Sequence, residues 1–212
     1  MRPYVTLSYA QSLDGCISAR PDQPTTLSGT RAMKMTHTLR AQHDAILVGI
    51  GTVLADNPRL SVRLVAGEHP QPIVLDSHLK IPLDSHLIKS PVRPLWVFCN
   101  ITACNNAAQR LADAGVIVHR VVEKSTGQLN LAEILNIIAQ LGIRSLMVEG
   151  GSKIIQSFLQ DKLVNHVVIT VAPKILSGLP AITNVTSPPT LLNIKHEILD
   201  QDIIFTADTI WK

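Results

Sequence analysis

Two arginines, a threonine, two carboxylates and a set of glycines fall in this sequence where they could hold a phosphorylated polar ligand. Arg40 and Arg63 flank the apolar run Ala45-Ile-Leu-Val48, the segment Gly49-Ile50-Gly51-Thr52, and Asp56-Asn57-Pro58. Guanidinium suits a phosphate because its planar donors pair two at a time with phosphate oxygens. The glycines let backbone approach a ligand closely. Further on, Val148-Glu149-Gly150-Gly151-Ser152 follows a second apolar run and opens an amphipathic stretch. N–H groups at a helix N-terminus, unobstructed by glycine side chains, form an anion site. Read locally, a ligand-free strand–helix turn fits that stretch equally well. Glu149 would stand at the carboxyl end of a central strand, where ligands of open α/β sheets gather. Its plainer role is a carboxylate satisfied by nearby N–H groups, and that of each arginine is a surface ion pair.

The elements that must position these residues follow from periodicity and turn signals. Strands are expected over 4–10, 45–48, 72–76, 95–99, 116–122, 145–148 and 167–171. Gln11 to Gly15 and Gly49 to Thr52 read as loops, 20–24 as a turn-rich connection, and Asp56-Asn57-Pro58 as a turn. Ser28 is expected to cap a helix over 30–42, with Ala32, Met35 and Leu39 on one face; Met33 and Met35 read as core filler. Further helices are expected over 105–114, ended by Gly115, over 131–141 and over 151–163. Asn130 and Glu133 have capping-box spacing before the second of these, and Gly142 closes it. The last segments, 194–199 and 203–209, form a hairpin through Asp200-Gln201-Asp202. This alternation implies an α/β domain, a mainly parallel sheet covered on both faces and finished at one edge by antiparallel strands. No repeat, low-complexity tract or linker divides residues 1–212, so a single domain is expected, with 177–189 its longest irregular segment.

Composition narrows the class. A chain of 212 residues with 46% hydrophobic and 17% charged residues can bury its own core, which must be aliphatic because aromatics are only 3%. The net charge of +3 with no Lys/Arg run argues against nucleic-acid binding. Cys16, Cys99 and Cys104 match no zinc spacing and read as reduced thiols of a cytoplasmic protein. No metal site is expected. No apolar stretch approaches the ~18 residues of a membrane span, and no signal peptide opens the chain. The eight histidines, His37 and His43 at the helix end included, read as structural or solvated.

Three blocks in order, Thr6-Leu-Ser-Tyr-Ala-Gln-Ser-Leu-Asp-Gly15, Ala45 to Arg63, and Val148-Glu-Gly-Gly151, closely resemble the riboflavin-pathway pyrimidine reductases. The resemblance runs over nearly the whole chain. It implies a dihydrofolate-reductase-like fold, three-layer α/β/α, and NADPH as cofactor. It implies reduction of the ribosyl side chain of a pyrimidine ribosylamine 5′-phosphate to the ribityl form. By the same resemblance, Arg40, Leu60, Arg63 and Glu149 bind substrate, the two arginines at its 5′-phosphate. Ala10, Thr52, Asp56, Ser77, Gly150, Gly151 and Ser152 line the cofactor. Asp56 and Glu149 are the carboxylates nominated for catalysis, although the cofactor carries the chemistry and the protein chiefly orients.

Many bacterial members carry a lysine where this chain has Ser8 and a tryptophan near Thr26; fungal-type members also have a small hydroxyl residue at the first position. Asn165-His166 stands where an acidic pair is common. No H-x-E with P-C-x-x-C deaminase signature is present, so a freestanding reductase acting on the 2,5-diamino pyrimidine is expected, as a homodimer. Two alternatives stay open: a pterin or dihydrofolate-type reductase on the same fold, and a module that binds NADPH without turnover.

Overall fold

Short runs rich in Val, Ile and Leu, too short for helices and bounded by Gly, Pro and polar residues, become the strands of one sheet. In the computed structural model, which describes residues 2–20, 25–124 and 127–211, the chain runs β1 (Tyr4–Ser12), β2 (Cys16–Ser18), α1 (Thr30–Ala41), β3 (Ala45–Gly49), α2 (Ile50–Asp56), β4 (Gln71–Leu75), α3 (His86–Lys89), β5 (Trp96–Asn100) and α4 (Asn105–Asp113). It continues with β6 (Ile117–Val121), α5 (Leu131–Gln140), β7 (Ser145–Glu149), α6 (Ser152–Gln160), β8 (His166–Ala172), β9 (Leu179–Pro180), β10 (Thr190–Leu199) and β11 (Asp202–Ile210). Residues 21–24 of the expected turn-rich connection lie outside the described residues.

The large sheet has nine strands in the order β10-β11-β8-β1-β7-β3-β4-β5-β6. From β8 to β6 every pairing is parallel, and β11 and β10 add the antiparallel edge. Side chains of β3 alternate between two cores: Ala45 and Leu47 enter one, Ile46 and Val48 the other. The first core is covered by α5 and α6 through Leu131, Ile134, Leu135, Ile138, Ile155 and Phe158. Each such buried side chain stabilises the layer by about 1.5–3 kcal/mol. The second is covered by α2, α3 and α4 through Val53, Leu87 and Leu111. Ala32, Met35 and Leu39 of α1 pack on Val168 and Ile204. The architecture is three-layered, as expected.

Several local expectations need correction. Gly49 to Thr52 is not a loop: Gly49 ends β3 in extended conformation and α2 starts at Ile50. A glycine at position 51 disfavours helix by about 1 kcal/mol, and burial of Val53 in the second core offsets that cost. Met33 is 39% exposed rather than core filler, since it sits two residues from the partly buried Met35, on another face of α1. The N-cap of α1 is Gly29, not Ser28, and its N–H donates to Asp202 Oδ2 at 2.7 Å. Only half of the expected capping box forms. Asn130 accepts the Glu133 N–H at 3.3 Å, while the Glu133 carboxylate accepts from Val122.

Gln11 and Ser12 belong to β1 because β8 pairs with them as far as Ala172. Part of the irregular 177–189 segment is also ordered by pairing, β9 lying antiparallel to β2. Asp14 fastens that region to the turn after β1. Its carboxylate accepts the N–H groups of Leu176 at 3.0 Å and Ser177 at 2.7 Å. The Ser12 hydroxyl, followed by these two N–H groups, holds the Asp14 carboxyl well below the usual carboxylate range. No described helix is long and apolar enough to cross a membrane.

Candidate active site

Because β1, β7, β3 and β4 are parallel neighbours, their carboxyl ends open along one edge of the sheet. β7 is inserted between β1 and β3, and crevices at such reversals of strand order are where open α/β sheets hold ligands. Glu149 is the last residue of β7, directly beside Ser8 of β1. The next two residues, Gly150 and Gly151, adopt φ values of 71° and 76°, where a side chain would strain the backbone. They turn the chain into α6, whose first residue is Ser152.

Space around this turn is unequal. A Cβ on Gly150 would meet nothing within 4 Å, whereas one on Gly151 would lie 3.1 Å from Thr52 Oγ1. Thr52 is in the first turn of α2, so the N-termini of α2 and α6 abut at the ends of β3 and β7. Gly49 permits the approach: a Cβ there would fall 2.6 Å from the Ile154 side chain. The start of α6, with open space beside Gly150, suits an anionic group.

On the other side of Glu149 stands Arg40, in the last turn of α1. Its Nε donates to Glu149 Oε1 at 2.6 Å and its Nη2 to Oε2 at 2.7 Å, a two-pronged pair. The side chains are 11% and 17% exposed, so solvent screens the pair little. Burial opposes the Arg40 charge, but the charge and hydrogen bonds of Glu149 outweigh it and the net shift is upward. Arg40 Nη1 also donates to the Ser61 carbonyl at 3.2 Å. A guanidinium has five N–H groups, so one remains on each terminal nitrogen.

Ser61 is the meeting point of both predicted arginines, for Arg63 Nη1 donates to its hydroxyl at 3.0 Å. Leu60, just before it, is 2% exposed and has φ 50°, an uncommon left-handed conformation for a leucine. Its buried side chain packs in the second core and anchors this strained residue. Among the described residues Arg63 and its neighbour Arg59 have no ion-pair partner. Partial burial, then the nearby charges of Arg40 and Arg59, pull the Arg63 guanidinium down. Three cations against one carboxylate leave this cluster of side chains positive.

The remaining predicted residues spread along the same edge. Ala10, half-buried, pairs with Thr170 near the end of β1. Ser77 follows β4 and its carbonyl accepts the Asn100 N–H at 3.1 Å. Asp56 ends α2 on an exposed surface, and crowding by neighbouring protein pushes its carboxyl up. Two contributors escaped the sequence reading, Arg59 and His37. His37 is 2% exposed and its Nδ1 accepts the Arg63 N–H at 2.9 Å. Its three-residue spacing from Arg40 on one helix was the available signal.

Residues 3–205 match the model of the RibD C-terminal domain. The chain belongs to that family, the riboflavin-pathway pyrimidine reductases. It is 38% identical over 202 residues to the 2,5-diamino-6-ribosylamino-4(3H)-pyrimidinone 5′-phosphate reductase of Saccharomyces cerevisiae, covering 91% of this chain and 80% of the relative. The reductase of that name from Archaeoglobus fulgidus is 34% identical, with 84% of each covered. The riboflavin biosynthesis protein RibD of Aquifex aeolicus is 36% identical over 82% of this chain; only 48% of that longer protein is spanned. A solved riboflavin biosynthesis reductase from yeast superposes with TM-score 0.78 at 30% identity, over 99% of this chain and 90% of the other. Dihydrofolate reductase from Enterococcus faecalis, 13% identical with TM-score 0.56, shares the fold. Membership in the family makes this chain an oxidoreductase built on the dihydrofolate-reductase-like fold.

Proposed function

We propose that this chain reduces the ribosylamino side chain of 2,5-diamino-6-ribosylamino-4(3H)-pyrimidinone 5′-phosphate to the ribitylamino form, with NADPH as reductant. The observation that carries this reading is the positive cluster of Arg63 and Arg59 beside the Arg40–Glu149 pair, with Arg40 and Arg63 both bonded to Ser61. A dihydrofolate-type substrate gives no reason for that concentration of guanidinium groups. The like-named yeast and archaeal relatives, matched over most of their length, support the same substrate.

The residues present fit a nicotinamide dinucleotide. Gly150, Gly151 and Ser152 would hold its pyrophosphate, with Thr52, Asp56, Ala10 and Ser77 along its length. When bound, it supplies the hydride for C1′ of the ring-opened sugar. Arg63, helped by Arg59 and the spare N–H groups of Arg40, would hold the 5′-phosphate. Glu149, oriented through both oxygens, stays an acceptor for ring N–H groups. Asp56 and Glu149 are the two carboxylates this reading nominates near the reacting groups. The reading further places the enzyme in the cytoplasm as a homodimer; the long apolar edge strand β10 supports the second of these.

The test compares NADPH oxidation with the diamino ribosylamine phosphate, its dephosphorylated form, and dihydrofolate. Rapid turnover of the phosphorylated pyrimidine and negligible turnover of dihydrofolate are expected. Arg63→Ala should raise KM for the phosphorylated substrate roughly 10- to 150-fold, the equivalent of losing a charge-assisted bond of about 1.5–3 kcal/mol. Faster turnover of dihydrofolate, or unchanged phosphate preference in Arg63→Ala, would overturn the assignment.

A further inference from the structure

The backbone that presents Arg63 is held by imidazole. Val62 N–H donates to His69 Nδ1 at 3.1 Å, and Arg63 N–H donates to His37 Nδ1 at 2.9 Å. His69 lies in the same loop, so its bond only stiffens that loop locally. His37 comes from α1, one turn before Arg40, and ties the Arg63 backbone to the helix that carries the Arg40–Glu149 pair. Both sides of the positive cluster are thereby referred to one helix.

The acceptor's chemistry matters as much as its place. An N–H partly withdrawn from water needs an acceptor, and removing its partner is unfavourable. Beside an anion site, a carboxylate acceptor would neutralise Arg63 and repel the ligand. A neutral imidazole accepts the N–H and adds no negative charge. With Nδ1 as acceptor, the ring proton sits on Nε2. Burial, together with the charges of Arg40 and Arg63, keeps the ring neutral by lowering its pKa to about 4.

We propose that His37 is a positioning residue for substrate recognition: as an uncharged acceptor of the Arg63 N–H, it aims Arg63 at the substrate's phosphate without competing for it. This rests on the phosphate-pocket reading above, and the experiment separates the two.

Three variants divide the roles. His37→Asn keeps a neutral acceptor near the Nδ1 position, His37→Leu removes the acceptor, and His37→Asp keeps it while adding a negative charge. KM and kcat are measured for the phosphorylated and dephosphorylated ribosylamino-pyrimidine at saturating NADPH, with NADPH affinity by calorimetry. His37→Leu should raise KM for the phosphorylated substrate roughly 5- to 20-fold, with a much smaller change in kcat. His37→Asn should recover most of that loss. His37→Asp should be at least as poor as His37→Leu for the phosphorylated substrate and nearly normal for the dephosphorylated one. If His37→Leu does not fold, the Asn-against-Asp comparison decides alone. Equal KM values for Asn and Asp variants, or a KM rise that is the same with and without the phosphate, would overturn the proposal. Arg63→Ala run beside them tests the underlying reading. Loss of phosphate preference there, with none in the His37 variants, removes only the role of His37.

Discussion

Arg40 and Glu149, 109 residues apart in sequence, lock together through hydrogen bonds of 2.6 and 2.7 Å and form one rigid wall of the site. Neither can be treated as an independent ligand group. Removing one partner of a buried pair leaves the other charge uncompensated, which costs about 3–5 kcal/mol when burial is complete. Here both side chains keep some exposure, so ~2–3 kcal/mol is expected from Arg40→Met or Glu149→Gln alone. The double variant should lose less than the sum, because the second substitution removes the orphan left by the first. Urea unfolding of the four proteins measures this, and strictly additive losses would show that the pair is not coupled.

The glycine turn before α6 yields a prediction about cofactor. At Gly150 an added methyl group meets no protein atom within 4 Å, while at Gly151 it approaches Thr52 Oγ1 at 3.1 Å. Both positions have positive φ, so an alanine at either strains the backbone by about 1 kcal/mol or more. Any further loss of NADPH binding in folded Gly150→Ala must come from the open space that the methyl group enters. A drop of at least ~10-fold is expected for each alanine variant, and a larger one for Gly151→Val, whose branched side chain restricts the backbone further. NADPH affinity equal to wild type in folded Gly150→Ala and Gly151→Ala would remove this turn from the cofactor site.

How far the molecule could be read in advance depended on how local each cause was. The strands β3 and β7 and the helix α5 were legible, because an apolar run or a 3.6-residue stripe is a local signal. Gly49 and Gly51 concealed α2, whose stability comes from Val53 packing in a core assembled from distant strands. β2 and β9 are three and two residues long and exist through pairing with each other, so no periodicity could announce them. At the site, the residue types were legible and their partners were not. Arg40 and Glu149 each looked ready for substrate, and only the insertion of β7 between β1 and β3 brings them together. His37 was read as merely structural or solvated, since its backbone partner lies 26 residues away and its spacing from Arg40 alone does not reveal that bond.

Acid should expose the cost of keeping His37 neutral. In the folded chain its pKa is lowered to about 4 from the ordinary 6.5, first by burial and then by Arg40 and Arg63, with Glu149 opposing. As pH falls, the unfolded chain takes up this proton first. Its contribution to stability is therefore fully present above about 6.5 and is lost as pH falls through about 4. Wild type should lose more stability than His37→Asn between pH 7.5 and 5, because asparagine does not titrate. The comparison cancels the carboxylates common to both proteins. Parallel stability curves for the two across that interval would show that His37 titrates normally in the fold.

The two edges of the large sheet are protected very differently. β6 is five residues long and carries His119 and Arg120, features that discourage pairing with another chain. β10 is ten residues long and is exposed throughout apart from Leu199. It displays Leu191 and Leu192, with Ile194 and Ile198 at 60% and 65% exposure, and Phe205 of β11 adds to the apolar surface. A bulge between Leu192 and Lys195 interrupts the strand, but it leaves the isoleucines uncovered. An apolar edge of this length favours a second copy, because association can bury both its side chains and its unpaired backbone groups. Light scattering on the purified protein at micromolar concentration should therefore give about twice 23.1 kDa. Ile194→Lys combined with Ile198→Lys should shift the mass to that of one chain without lowering its helix and sheet content, since both side chains already face solvent in the single chain. A wild-type mass of one chain, or a lysine variant that stays paired, would show that β10 is not the contact.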